Sequence, residues 1–198
     1  GPDVIPFTYA GVGSGRVSRG LRPYDSPPIE ISHASQYHAA MRNNKIVLEQ
    51  RRRKDHIVDI ASKLAAEKRG VIPEDEDLLN EVANLVERPT PMRGEFEKRF
   101  LELPAAVLVA VMRKHQRYFP IATKKGKLLP YFIAVRNGDE RHLNHVVDGN
   151  EHVIRARFAD AEFFYKNDIQ QQITDFVPKL ARLTFQADLG SMLDKTQR

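Results

Sequence analysis

Two short runs of cations are the residues best suited, by type and spacing, to act on a polyanion. Arg51, Arg52, Arg53 and Lys54 are consecutive, and Arg113-Lys114-His115-Gln116-Arg117 leads directly into Tyr118-Phe119-Pro120. Lys and Arg neutralise phosphate and release its counterions. The second run interleaves cations with groups that hydrogen-bond or stack, a composition suited to looped or single-stranded RNA. Each run also has a plain structural reading. The first can be a solvated helix face, although four cations at a helix start oppose the helix dipole and so favour a ligand or an acidic neighbour. In the second, Tyr118 and Phe119 can be core anchors of the following strand. A third segment, residues 149–165, carries Arg155 and Arg157 on a helical pattern, where Arg155 and Asp160 either orient a polar ligand or form ion pairs with Glu151 and its neighbours.

Catalytic and metal chemistry find no comparable footing. The run Gly11-Val12-Gly13-Ser14-Gly15-Arg16 lacks the Gly-Lys-Ser/Thr ending of a phosphate-cradling loop and reads as a surface turn. There is no cysteine, so thiolate chemistry is excluded and any metal would need His, Asp and Glu alone. His142 and His145 could share one helical face as ligands, but Asn144 and Asp148 suit a solvated loop equally. Ser14, Ser18 and His115 have no local triad partners, and the pair Asp160 and Glu162 is expected by chance where 29% of residues are charged. No catalytic residue and no metal ligand is assigned.

The 198 residues suffice for one main core with a short appendage, and no apolar stretch approaches the roughly 18 residues of a membrane span. A net charge of +5 and a pI near 9.5 permit a polyanionic partner. Acids crowd residues 74–77, so the charge is locally polarised. Gly1-Pro2 matches a common protease-cleavage scar, and the chain is expected to be an excised fragment.

Several elements must position these residues. The Gly- and Pro-rich opening should form loops and short strands, with Ile29-Glu30-Ile31 alternating as a strand. Ser35 is expected to cap a helix over 36–42, and residues 45–48 to form a short strand entering a long helix over 49–68, with Gly70 at its C-cap. A second helix begins at Asp77 and is stopped by Pro89 and Pro91. Pro104 opens a helix through Met112; residues 118–122 and 129–135 pair as a hairpin turning at Lys125-Gly126. Helices should follow from Asn150 and over 175–183.

Three blocks in order resemble the β subunit of the bacterial heterotetrameric glycyl-tRNA synthetase. The first is residues 14–22 with the helix at 80–87; the second joins Phe100-Leu101-Glu102-Leu103-Pro104, Lys114 to Pro120 and residues 128–135; the third combines Gly149-Asn150-Glu151, Arg155-Ala156-Arg157, Asp160-Ala161, Phe163-Phe164-Tyr165 and residues 189–196. The resemblance implies an α+β fold, a mixed or antiparallel sheet flanked by helices, like the editing-type domain of the phenylalanyl-tRNA synthetase β chain. That domain would cover residues 3–185, and a following helical, HD-like domain would begin at 186–198. It further implies an accessory role in recognising tRNA(Gly) and in assembly with the α subunit, where aminoacylation, ATP and Mg belong; this fragment itself would hold no cofactor and touch no membrane. The setting would be the bacterial cytoplasm, or a plastid or mitochondrion. Hydrolytic editing of mischarged tRNA and a pure interface scaffold are the alternatives, although glycine, as the smallest amino acid, has little need of a second sieve. The candidate RNA contacts are Arg51, Arg52, Arg53, Lys54, Lys114, His115, Arg117, Tyr118, Arg155 and Arg157.

Overall fold

The computed structural model describes residue 1, residues 3–186 and residues 188–196; the expected scar at Pro2 and the last two residues of the expected following domain lie outside them. No helix among the described residues is long and apolar enough to cross a membrane. Two compact units divide at Arg157 and Phe158.

The first unit opens on two small antiparallel ribbons. Strands β1 (Thr8–Tyr9) and β2 (Val12–Gly13) turn through Ala10 and Gly11, both at positive φ, a pair of conformations that matches strand twist in a tight hairpin. Strands β3 (Val17–Arg19) and β4 (Pro28–Glu30) form the second, with β4 one residue ahead of the expected position. Helix α1 (Tyr37–Asn43) follows a 3-10 turn over Ala34–Gln36. Ser35 does not cap it: the His33 ring accepts the Ser35 N–H, and Ser35 lies inside that turn.

Residues 45–48 form no strand, contrary to expectation. Lys45 is left-handed, Val47 N–H donates to the Glu87 carbonyl, and the Val47 and Leu48 carbonyls accept from Arg53, so most of the groups a ladder would use are taken. Helix α2 (Gln50–Ala66) ends as Gly70 N–H reaches back to the Ala65 carbonyl and Arg69 N–H to Ala66. Arg69, rather than Gly70, takes the left-handed cap. Gly70 is required for another reason, because a Cβ there would meet Ile121 Cγ2 at 2.3 Å. Helix α3 (Glu76–Leu85) starts on Asp75, whose side chain accepts Leu78 N–H at 3.0 Å.

Strand β5 (Pro89–Glu95), helix α4 (Ala105–Val111), strand β6 (Phe119–Ala122) and strand β7 (Leu128–Asn137) complete the main layer. The three strands are antiparallel in the order β5-β7-β6. Pro89 and Pro91, read as helix stops, also lie within an edge strand, the place in a sheet where proline is tolerated. The β6–β7 turn is as expected: Gly126 has φ 81°, and its N–H donates to the Thr123 carbonyl. Ile57, Ala61 and Ala65 of α2, Leu78, Val82 and Ala83 of α3, and Phe119, Ile121 and Ile133 of the sheet form one buried cluster. The result is an α+β arrangement whose sheets are all antiparallel among the described residues.

Helix α5 (Leu143–Ile169) starts well before the expected Asn150 and contributes residues to both units. In the second unit, the helix expected over 175–183 is two 3-10 segments, Ile173–Phe176 and Pro178–Arg182, because Pro178 lacks the N–H a continuous helix needs. Strands β8 (Thr184–Gln186) and β9 (Gly190–Ser191) and helix α6 (Met192–Thr196) follow.

Candidate nucleic-acid interface

The polarised charge of the sequence resolves largely into pairs along α3. Lys54, only 22% exposed at its side chain, is ion-paired with Glu76 and hydrogen-bonded to Asn80 at 3.1 Å. Asp75, besides capping α3, receives Arg113 Nη2 at 2.7 Å. Glu81 receives Arg117 Nε at 2.5 Å. Arg155 donates to Glu97 at 2.6 Å. Four cations drawn from the two basic runs and the third segment are thereby balanced within the fold.

Arg53 has a different use. Its Nε donates to the Ala83 carbonyl at 2.8 Å, and its Nη1 to the Val47 and Leu48 carbonyls at 2.6 and 2.7 Å. The planar guanidinium joins two backbone segments through three carbonyls, a fork that the point charge of Lys does not reproduce. The cation run is therefore split by helix geometry. Arg51 is 93% exposed and 3.9 Å from Asp55, and Arg52 is 69% exposed at 4.0 Å from Glu49, while Arg53 and Lys54 turn inward.

The second run is divided in the same way. After α4 the chain makes a π-helical turn over Met112–Gln116 that ends on Arg117, which is left-handed at φ 56°. Lys114 and His115 are exposed, whereas Tyr118 is buried. The Tyr118 ring stacks on Phe132 with centroids 4.6 Å apart, its hydroxyl donates to Asn150 Oδ1, and burial pushes the phenol up to about 12. Tyr118 thus takes the core-anchor reading instead of presenting a face for a base. Arg157 is exposed on α5. Ser14 spends its hydroxyl inside the first hairpin, donating to the Ile5 carbonyl at 2.8 Å and accepting Phe7 N–H at 3.0 Å. Ser18 Oγ contacts Met41 Sδ at 3.8 Å. Neither serine engages His115.

The sequence runs pointed to only part of a larger basic feature. At the head of α2 a cleft of about 870 Å³ is lined by Arg42, Lys45, Arg52, Arg53, Arg88 and Arg141. His56 lies one turn beyond Arg52, and Asp139 and Glu140 are the acidic members. These cations come from the end of α1, the following loop, α2, the segment before β5 and the loop after β7; Arg52 and Arg53 belong to the first run, but no local run announces the other four. Asp139 is largely spoken for. The Tyr24 hydroxyl, although outside strict hydrogen-bond geometry, and then the Arg141 N–H and guanidinium hold its carboxyl at about 2 despite some burial. Tyr24 and Asp139 in turn raise the Arg141 guanidinium above its ordinary value. Glu49, beside the cleft, is held below the ordinary carboxylate range, first by its own backbone N–H and then by the positive charges of Arg52, His38 and Arg42. Hydrogen bonds lead in both shifts, and the neighbouring cations add to them.

Comparison with known proteins places this geometry in context. The family described as glycyl-tRNA synthetase beta subunit matches residues 1–198. The chain is 45% identical over 198 residues to a glycine-tRNA ligase beta subunit of Oceanobacillus iheyensis, covering all of this chain and 28% of the relative. It is 44% identical over 198 residues to the Bacillus subtilis beta subunit, covering all of this chain and 29% of that protein. With the Arabidopsis thaliana chloroplastic/mitochondrial glycine-tRNA ligase 2 it shares 46% identity over 195 residues, 98% of this chain and 18% of that protein. The chain thus spans less than a third of the length of these relatives.

Proposed function

Because the chain belongs to the glycyl-tRNA synthetase β-subunit family, we propose that it is an accessory domain of that subunit, contributing to tRNA(Gly) recognition and to assembly with the α subunit. Aminoacylation, with its ATP and Mg, takes place in the α subunit on this reading. The fold is of the editing type found in the phenylalanyl-tRNA synthetase β chain, with helices α2 and α3 on an antiparallel sheet as the feature that supports the likeness. One observation carries the RNA role: six cationic side chains meet in a single cleft with only two carboxylates among its lining residues.

The test is photo-crosslinking of tRNA(Gly) to the complete α and β enzyme, with the crosslinked peptides identified. Crosslinks within residues 1–157 are expected. An enzyme that charges tRNA normally yet gives no crosslink anywhere in residues 1–198 rejects the RNA role and leaves the interface scaffold. If the enzyme frees amino acid from mischarged tRNA, and changes in residues 1–198 abolish that release, hydrolytic editing takes its place.

A further inference from the structure

Building on that reading, we propose that the cleft at the head of α2 is a phosphate clamp, gripping the RNA backbone without reading its sequence. Like charges gathered from five segments repel one another, and their convergence is favourable when a polyanion fills the space between them. Arg42, Lys45 and Arg88 form no ion pair among the described residues. Of the three, Arg42 acts on a carboxylate only at longer range, on Glu49. Arg53 cannot swing outward, because three carbonyls hold its guanidinium, so it supplies a fixed positive potential in the cleft lining. The backbone leading into β5 is fixed too: the Glu87 and Arg88 N–H groups both donate to Asn137 Oδ1 at 3.0 Å.

The remaining lining decides between backbone and base. Sequence-specific RNA recognition stacks splayed bases on aromatic or guanidinium planes and hydrogen-bonds their edges. Here His56 carries the one aromatic ring among the lining residues, Ile46, Val47 and Pro89 offer aliphatic surface, and Thr90, the one hydroxyl side chain of the lining, already donates to the Gly138 carbonyl. Base edges therefore find little to read them, and the guanidiniums serve phosphate, their charge-assisted partner. Cations beside aliphatic surface match phosphates with the sugar face packed against it.

The experiment measures tRNA affinity of the whole α and β enzyme over a range of salt concentrations. It compares wild type with Arg42→Gln, Lys45→Gln and Arg88→Gln, singly and together, and with Lys63→Gln, on the exposed part of α2 outside the cleft, as control. Each cleft change should flatten the slope of log affinity against log salt by roughly 0.7–0.9, and the triple change should weaken binding roughly 10²-fold near 0.15 M salt. An unrelated tRNA should lose the same factor as tRNA(Gly). The triple Lys-or-Arg exchange (Arg42→Lys, Lys45→Arg, Arg88→Lys) keeps the charge and should keep the slope. Wild-type slope and affinity in the folded Gln variants overturn the clamp; so does a loss confined to tRNA(Gly), which means base readout, and so does an equal loss in the charge-preserving variant, which means a structural role. Crosslinks persisting elsewhere in residues 1–157 while the slope stays unchanged remove the clamp and leave the RNA role standing.

Discussion

Gly94 lies directly opposite Phe132 in the β5–β7 register, and the phenyl ring covers it so closely that a Cβ on Gly94 would come within 2.4 Å of the ring. Tyr118 stacks on the same ring at 16°. Phe132 is fully buried, so the ring has no solvent to turn into. Gly94→Ala should therefore lower stability by about 2–3 kcal/mol through overpacking. Urea unfolding measures it; an unchanged midpoint means that the ring moves aside freely.

Tyr118 gives a pH prediction. Its pKa rises from 10 to about 12 because burial penalises the phenolate. A raised folded pKa means that the stabilisation is complete below about pH 10 and is lost as pH climbs towards 12. One phenolate should thus appear late in an ultraviolet titration, together with alkaline unfolding. Tyr118→Phe should remove the late phenolate and cost about 1 kcal/mol for the lost bond to Asn150. A titration in which every tyrosine ionises near pH 10 in the folded protein contradicts the burial.

Neighbouring arginines should behave oppositely. Arg53→Lys removes the fork that joins the Ala83, Val47 and Leu48 carbonyls and should destabilise by about 2–3 kcal/mol. Arg51→Ala should leave the unfolding midpoint where it is, since its pair with Asp55 is solvated. Equal effects at the two positions would refute the inward placement of Arg53.

Asp75 serves α3 and the π-helical turn together, capping Leu78 N–H and holding Arg113. Asp75→Asn keeps a capping oxygen but loses the charge, whereas Asp75→Ala loses both. The Ala variant should cost about 1–2 kcal/mol and the Asn variant less. Thermal unfolding at low and high salt separates the charge from the cap: the salt-sensitive part should vanish in both variants, and the difference that remains between them is the cap.

Local signals made α2, α3 and the β6–β7 hairpin legible: apolar residues recur at helical spacing in the first two, and Lys125-Gly126 marks the turn of the third. Strand β5 was hidden because Pro89 and Pro91 break its pattern and its partner lies far along the chain. Unfavourable helix-dipole charge on residues 51–54 called for an acidic neighbour or a ligand, and α3 supplies Glu76 to Lys54. The cleft was illegible for a simpler reason: Arg42, Lys45, Arg88 and Arg141 are isolated in sequence, and only tertiary packing makes them neighbours.

The strand order β5-β7-β6 also dictates a timetable during synthesis. As the ribosome delivers the chain from its N-terminus, α2, α3 and β5 emerge before β7, so β5 must wait, unladdered, until the central strand arrives. Until then Met92 and the apolar faces of α2 and α3 have no sheet to cover them. A nascent chain that has exposed β5 but not yet β7 leaves that apolar surface open to other chains.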